Sequence, residues 1–160
     1  MPLCITIDTR EQRPWSFPGE VATVTRGTLT AGDYALTGDT RFAIERKSLS
    51  DFAGTVSSGW PRFQRELDRM RELAYPARVV VVEGTLGDLL NGLEQHPKLS
   101  PAFYFKRVAE LTMAGVTVLF AHDDAIAAGI TTVLLRQRAY DLGWLDGQPP
   151  VPAPTTPTES

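Results

Sequence analysis

Gly32-Asp33, eleven intervening residues, and then Glu45-Arg46-Lys47 form the most reactive spacing in the chain. A carboxylate, followed by a carboxylate and a lysine two positions apart, can hold a divalent cation and activate a water. Hydrolysis of a phosphodiester makes three demands. A cation must neutralise the phosphoryl oxygens, a water must be deprotonated or held in line, and the leaving oxygen must be stabilised. Magnesium takes oxygen ligands in a near-octahedral shell and keeps several waters, so one or two carboxylates suffice. Manganese accepts the same ligand set and can substitute for it.

On a strand, Glu45 and Lys47 point to one face and Arg46 to the other. Asp33 and Glu45 are therefore the candidate metal ligands. Lys47 would orient the attacking water or stabilise the pentavalent oxygens. Arg46 would face away or offer its carbonyl to the metal. Asp8 is a third candidate metal carboxylate at the end of Asp8-Thr9-Arg10-Glu11, and Arg10 is a candidate phosphate clamp, since guanidinium matches phosphate bidentately. Asp51 could serve the metal through water or pair with Arg46 or Lys47. By spacing alone the same residues fit surface ion pairs, a turn aspartate and a first-turn helix charge.

These residues need a scaffold, and the pattern supplies one. Leu3 to Asp8 alternates as a first strand, and Arg10 to Gly19, with two prolines, reads as a loop. Val21 to Thr25 reads as a short strand. Tyr34 to Thr37 and Arg41 to Lys47 read as a hairpin turning at Gly38-Asp39. A helix follows with Ser48 or Ser50 as its cap. Pro61 to Ala74 forms a stronger helix with Phe63, Leu67, Met70 and Ala74 on one stripe. Ala77 to Val82 reads as a strand buried on both faces. Helices over Asp88 to Leu93, Ala102 to Ala114 and Asp123 to Leu142, the last open to interruption at Gly129, flank a strand at Val116 to Ala121. The front half is rich in antiparallel strands and the back half reads α-β-α-α-β-α. The expected class is α/β, with a mixed central sheet flanked by helices. Residues 1–146 would form one domain and 147–160 a proline-rich disordered tail.

Composition bounds the function. The chain has 160 residues, 42% of them hydrophobic and 22% charged, as expected of one globular domain. No apolar run reaches the roughly 20 residues of a membrane span, and no secretory signal opens the chain. A lone Cys4 excludes an intrachain disulfide, and no Cys/His cluster suggests zinc. An intracellular protein, cytoplasmic or nucleoid-associated, is the expectation. The net charge is −3, but Arg41 to Arg78 carries eight Lys/Arg against five Asp/Glu, a local excess that can attract phosphates. Arg62, Arg65 and Arg69 share one helix face and are candidate DNA-backbone contacts, with intrahelical pairing as the alternative. Trp60 is a candidate for stacking on unpaired bases or for capping the core.

The wider string is similar to a known family. Asp8-Thr9-Arg10-Glu11, Gly32-Asp33-Tyr34 and Ile44-Glu45-Arg46-Lys47-Ser48-Leu49-Ser50-Asp51-Phe52 together resemble the nuclease domain of the XPF/MUS81-type (ERCC4 domain) structure-specific endonucleases. These are a branch of the PD-(D/E)xK nuclease superfamily. The family hallmark reads Gly-Asp, then Glu-Arg-Lys, three residues, then Asp. The likeness continues through Ser57-Ser58-Gly59, a helix with Phe63, Gln64 and Leu67, and a valine strand ending at Glu83, covering roughly Leu3 to Asp141.

The resemblance implies a restriction-endonuclease-like fold and a magnesium-dependent endodeoxyribonuclease. Asp33 and Glu45 would ligate the metal, with Asp8 as a further ligand. Lys47 would be the lysine of the ExK pair, and Arg10, Arg46 and Asp51 would organise the site. The implied substrates are branched DNAs such as flaps, forks and junctions. A tandem helix-hairpin-helix module, common in the family, has no counterpart after Asp141, so the implied partner is a second copy or a protein carrying that module. The alternative is a catalytically silent DNA-binding or scaffolding module of the same fold. Silent relatives usually lose one of the acidic or lysine positions, and this chain keeps them all.

Overall fold

A computed structural model describes residues 1–92 and 99–144. The proline-rich segment 147–160 lies outside the described residues. Six strands form one mixed sheet in the order β2-β1-β3-β4-β5-β6. They are β1 (Leu3–Asp8), β2 (Ala22–Gly27), β3 (Tyr34–Leu36), β4 (Ile44–Ser48), β5 (Arg78–Glu83) and β6 (Val116–Ala121). The helices are α1 (Leu49–Val56), α2 (Trp60–Glu72), α3 (Leu86–Asn91), α4 (Pro101–Met113) and α5 (Asp124–Asp141). This is the mixed α/β sheet that the sequence pattern implies.

The valine run shows how the layers form. Val79 and Val81 pack on one side of the sheet with Ile5, Ile7, Leu36, Ile44 and the α5 residues Ala127 and Leu135. Val80 and Val82 pack on the other with Phe52, Phe63, Leu67, Met70 and Leu111, from α1, α2 and α4. Period-two alternation inside an unbroken apolar run thus supplies both faces of a central strand.

Three expectations about the frame change. First, β2 runs parallel to β1, pairing Leu3 with Ala22 through to Asp8 with Gly27. The loop between them is long enough to return the chain to the start of β1, and only β1–β3 and β3–β4 are antiparallel. Second, the chain does turn at Gly38-Asp39, with Gly38 at φ 92° and the Asp39 amide donating to the Leu36 carbonyl at 2.9 Å, but β4 starts at Ile44 and its ladder with β3 is reduced to Tyr34 opposite Ile44. The Asp39 carboxylate accepts the Arg41 amide at 2.9 Å and both Nε and Nη2 of Arg138, at 2.7 and 3.2 Å. That ion pair draws the loop toward α5. Third, α5 continues through Gly129, whose Cα faces open space.

Ser48 caps α1, its hydroxyl accepting the Asp51 amide at 3.1 Å. Strand β4 therefore passes directly into α1, and the end of the strand becomes the floor of a cleft.

Candidate active site

Gly32 explains why aspartate follows a glycine. It sits at φ 84°, and a Cβ there would meet the Ala43 Cβ at 2.7 Å. Only glycine lets the chain approach β4 this closely. The Asp33 amide then donates to the Ile44 carbonyl at 2.9 Å, and Asp33 Oδ2 accepts the Arg46 amide at 2.8 Å. Two backbone contacts thereby fix Asp33 against the Glu-Arg-Lys strand, thirteen residues away.

Glu45 lies opposite Val80 and Lys47 opposite Val82, so both project toward α2. Lys47 Nζ contacts Glu45 Oε1 at 2.9 Å and stands 5.4 Å from the centre of the Phe63 ring. Glu45 is 4% exposed, and its Oε2 has no hydrogen-bond partner. A buried carboxylate oxygen without a donor is costly unless something cationic meets it.

Arg46 lies opposite Val81 on the other face. Its Nε and Nη2 grip the two oxygens of Glu83, each at 3.0 Å, and its Nη1 reaches Glu11 at 3.2 Å. Trp15 stacks on Tyr34 with ring centres 4.7 Å apart, donates its indole N–H to Glu83, and lies under the Arg46 guanidinium at 5.7 Å. The loop after β1 is fastened over the ends of β4 and β5 by this cluster.

The cleft, of about 1030 Å3, is lined by Asp33, Glu45, Lys47, Asp51, Arg10 and Arg62 among others. Asp51 is exposed at the first turn of α1. Asp8 lies just behind the cleft and is fully buried. Its Oδ1 accepts the amide and Nε of Arg10 at 2.9 and 2.7 Å, and its Oδ2 accepts Arg10 Nη2 and the Leu29 amide at 3.1 and 2.7 Å. Those bonds hold Asp8 well anchored and its pKa below the usual carboxylate value, since they outweigh its burial. Of the three α2 arginines expected on one face, Arg62 lines the cleft, whereas Arg65 and Arg69 are exposed outside it. Trp60 lies off the cleft, packed beside the α1–α2 core, with the Arg107 guanidinium 4.3 Å above its ring.

Glu11 and Glu66 line the cleft beyond the residues that the spacing singles out, and Glu83, at the end of the valine strand, reaches its edge as a partly buried carboxylate held by Arg46. Glu11 stood inside the quoted Asp8-Thr9-Arg10-Glu11 string. Glu66 carried a weaker signal: it lies three residues after Phe63, on the edge of the apolar stripe.

Burial sets the electrostatics. It raises Asp33 to about 6, opposed by the Arg46 amide and aided by the Glu11 charge. It raises Glu45 to about 8, with the Asp33 charge adding to the rise and Lys47 opposing it. The pair resists double ionisation in the absence of a cation, as two close carboxylates must. Lys47 is raised as well, the Glu45 and Glu66 carboxylates outweighing its desolvation.

The family model of the ERCC4 domain matches residues 7–134. The chain is similar to XPF from Aeropyrum pernix at 26% identity and a TM-score of 0.62, over 88% of this chain and 67% of that one. A structure of the same protein in complex with DNA gives 26% identity and a TM-score of 0.63, over 87% and 66%. The chain thus spans about two thirds of the length of those XPF chains. No curated protein sequence matches it.

Proposed function

Because the chain belongs to the ERCC4 domain family, with a nuclease-type fold, we propose that it is a magnesium-dependent endonuclease that hydrolyses phosphodiester bonds in branched DNA. The observation that carries this reading is the Glu45 carboxylate. One oxygen is paired with Lys47, and the other is buried and unpartnered at the edge of a cleft it shares with Asp33.

The residues present fit a hard divalent cation. Asp33 and Glu45 are oxygen donors, few enough to suit magnesium with its retained waters, and Glu45 Oε2 lacks any other partner. When bound, the cation supplies positive charge at the phosphoryl oxygens. Lys47, on the same face as Glu45, holds the attacking water and faces the charge that develops on phosphorus-bound oxygen. The water oxygen bonds to phosphorus as the bond to the leaving oxygen breaks, one water proton passing to solvent and the leaving oxygen taking one up. Arg10, anchored by Asp8 and 65% exposed, binds a neighbouring phosphate. Arg46 does not reach substrate in this reading, because Glu83 and Glu11 occupy its guanidinium; it keeps Glu45 and Lys47 aligned. Asp51 holds water at the cleft mouth.

Branched DNA is engaged with a second subunit, either another copy of the chain or a partner bearing a helix-hairpin-helix module. Exposed Ile126, Val133 and Tyr140 support this, since they recur along one side of α5 and leave an apolar stripe uncovered. No helix among the described residues is long and apolar enough to cross a membrane.

The test is incubation with labelled flap, fork, single-stranded and duplex DNA in magnesium, beside Asp33→Asn and Lys47→Ala. Cleavage of the branched substrates should fall at least about 100-fold in either variant. Salt-sensitive DNA binding without cleavage by the wild type would favour a catalytically silent module instead.

A further inference from the structure

Glu66 has no assigned role, and its surroundings are specific. It follows Phe63 by three residues on α2, so the two side chains share a face. Phe63 is buried, and its ring holds the Lys47 ammonium at 5.4 Å. The next position along that face is Glu66, half-buried and lining the cleft with Asp33, Glu45 and Lys47. Its carboxylate makes no ion pair or hydrogen bond among the described residues, although Arg62 stands one turn away. Glu11 and Glu83 at the same cleft are bonded to Arg46, and Asp33 to the Arg46 amide, whereas Glu66 shares its lack of a partner for the carboxylate with the exposed Asp51 and Asp124 but, unlike them, is half-buried. The Glu66 charge nevertheless acts on Asp33, Glu45, Lys47 and Arg10 together.

A second observation points to a ligand here. Glu45 Oε2 is buried, unpartnered and part of the same cleft wall. Asp33, Glu45 and Glu66 with the Lys47 ammonium leave two net negative charges, which one divalent cation cancels. No three acidic, histidine or cysteine side chains among the described residues are grouped to hold a metal directly. Glu66 is therefore placed to reach a cation through one of the waters that magnesium retains.

We propose that Glu66 is the third carboxylate of the cation site, contributed by α2 and acting through water, and that it sets the affinity for the cation. The inference rests on the endonuclease reading above for the identity of the other two carboxylates. It also makes α2 more than a DNA-facing helix, since cation binding would pin α2 to the end of β4.

The experiment is calorimetric titration of magnesium into the DNA-free protein, comparing wild type, Glu66→Gln, Glu66→Ala and Glu72→Gln. Glu72 lies on the exposed side of the same helix and controls for general loss of negative charge. Both Glu66 variants should keep the wild-type melting temperature without magnesium and bind magnesium about tenfold more weakly, roughly the 1.4 kcal/mol expected of one lost charged contact. Glu72→Gln should bind as the wild type does. Equal affinity in wild type and Glu66 variants overturns the inference, as does an equal loss in Glu72→Gln. A wild type that binds magnesium but cuts no DNA would sink the endonuclease reading while the affinity ratio still decides the role of Glu66. A wild type that binds no magnesium overturns both.

Discussion

Gly32 and Asp33 divide one task between backbone and side chain. The glycine removes a Cβ that would collide with Ala43, and the aspartate uses the space gained to accept the Arg46 amide. Gly32→Ala should therefore lower stability by about 2 kcal/mol or more in urea unfolding, because a positive φ and a steric clash act together. Glycine positions of ordinary φ facing open space, such as Gly54 or Gly129, should tolerate alanine with little loss. Asp33 gives a pH test. Asp33 and Glu45 both titrate higher in the folded protein than in an unfolded chain, so the folded state retains protons that the unfolded state has released. The cation-free protein accordingly loses stability as pH rises from about 4 through about 8. Asp33→Asn removes one of the two charges, and its neutral oxygen can still accept the Arg46 amide. In thermal denaturation it should be more stable than wild type at pH 8, on the order of 1 to 2 kcal/mol, with the gap closing toward pH 5. A variant equally stable at both pH values relative to wild type would show that the pair is not strained. Magnesium should raise the wild-type melting temperature more at pH 8 than at pH 5.5, since the deprotonated pair is the binding form.

At the scale of elements, β4 is oriented by what lies on its reverse face. Arg46 ties it to Glu83 at the end of β5 and to Glu11 on the loop after β1, and Trp15 closes over the pair. Arg46→Lys keeps the charge but loses the fork that grips both Glu83 oxygens. Stability should fall by roughly 1 to 3 kcal/mol, and cleavage should fall through kcat more than KM, because Glu45 and Lys47 lose alignment while Arg10, Arg13 and Arg62 at the cleft rim are untouched. A variant with wild-type unfolding and kcat would show that the clamp does not align the strand. Much of this region was legible in the sequence. Strand alternation placed Glu45 and Lys47 together, the valine run marked a central strand, and serine before a helix marked the cap. The parallel pairing of β2, the one-pair β3–β4 ladder and the Arg46–Glu83 clamp were not legible. Each depends on a partner distant in sequence: Glu83 lies 37 residues from Arg46, and Arg138 lies 99 from Asp39. Local periodicity carries no record of such contacts.

Over the whole molecule, charge placement matters more than charge balance. The basic stretch from Arg41 to Arg78 suggested one phosphate-attracting surface, yet its side chains disperse. Arg78 donates to the carbonyls of Leu67 and Ala114, Arg41 lines a separate cavity with Asp39 and Trp144, and Arg71 pairs with Asp68. From that stretch only Arg46, Lys47 and Arg62 line the cleft, and Arg46 is neutralised by its carboxylates. Arg10 and Arg13 reach the same cleft from the loop after β1, so its rim is cationic on two sides within an acidic protein. A DNA strand lying across the cleft would meet Arg13 on one side and Arg62 on the other. Neither side chain has a carboxylate partner among the described residues, so each is available to a phosphate, and its removal leaves no buried charge behind. Arg10 is unsuited to the same test, because Arg10→Ala would strand the buried Asp8. Each phosphate contact removed should lower the slope of log affinity against log salt by about 1. Binding of a flap substrate to Arg13→Ala and Arg62→Ala, followed by fluorescence anisotropy across a salt series with calcium in place of magnesium, should show that reduction. Arg65→Ala and Arg69→Ala, on the α2 face outside the cleft, should leave the slope near its wild-type value. The reverse pattern would place the DNA along the outer face of α2 and away from Asp33 and Glu45, which would separate the basic helix from the proposed site.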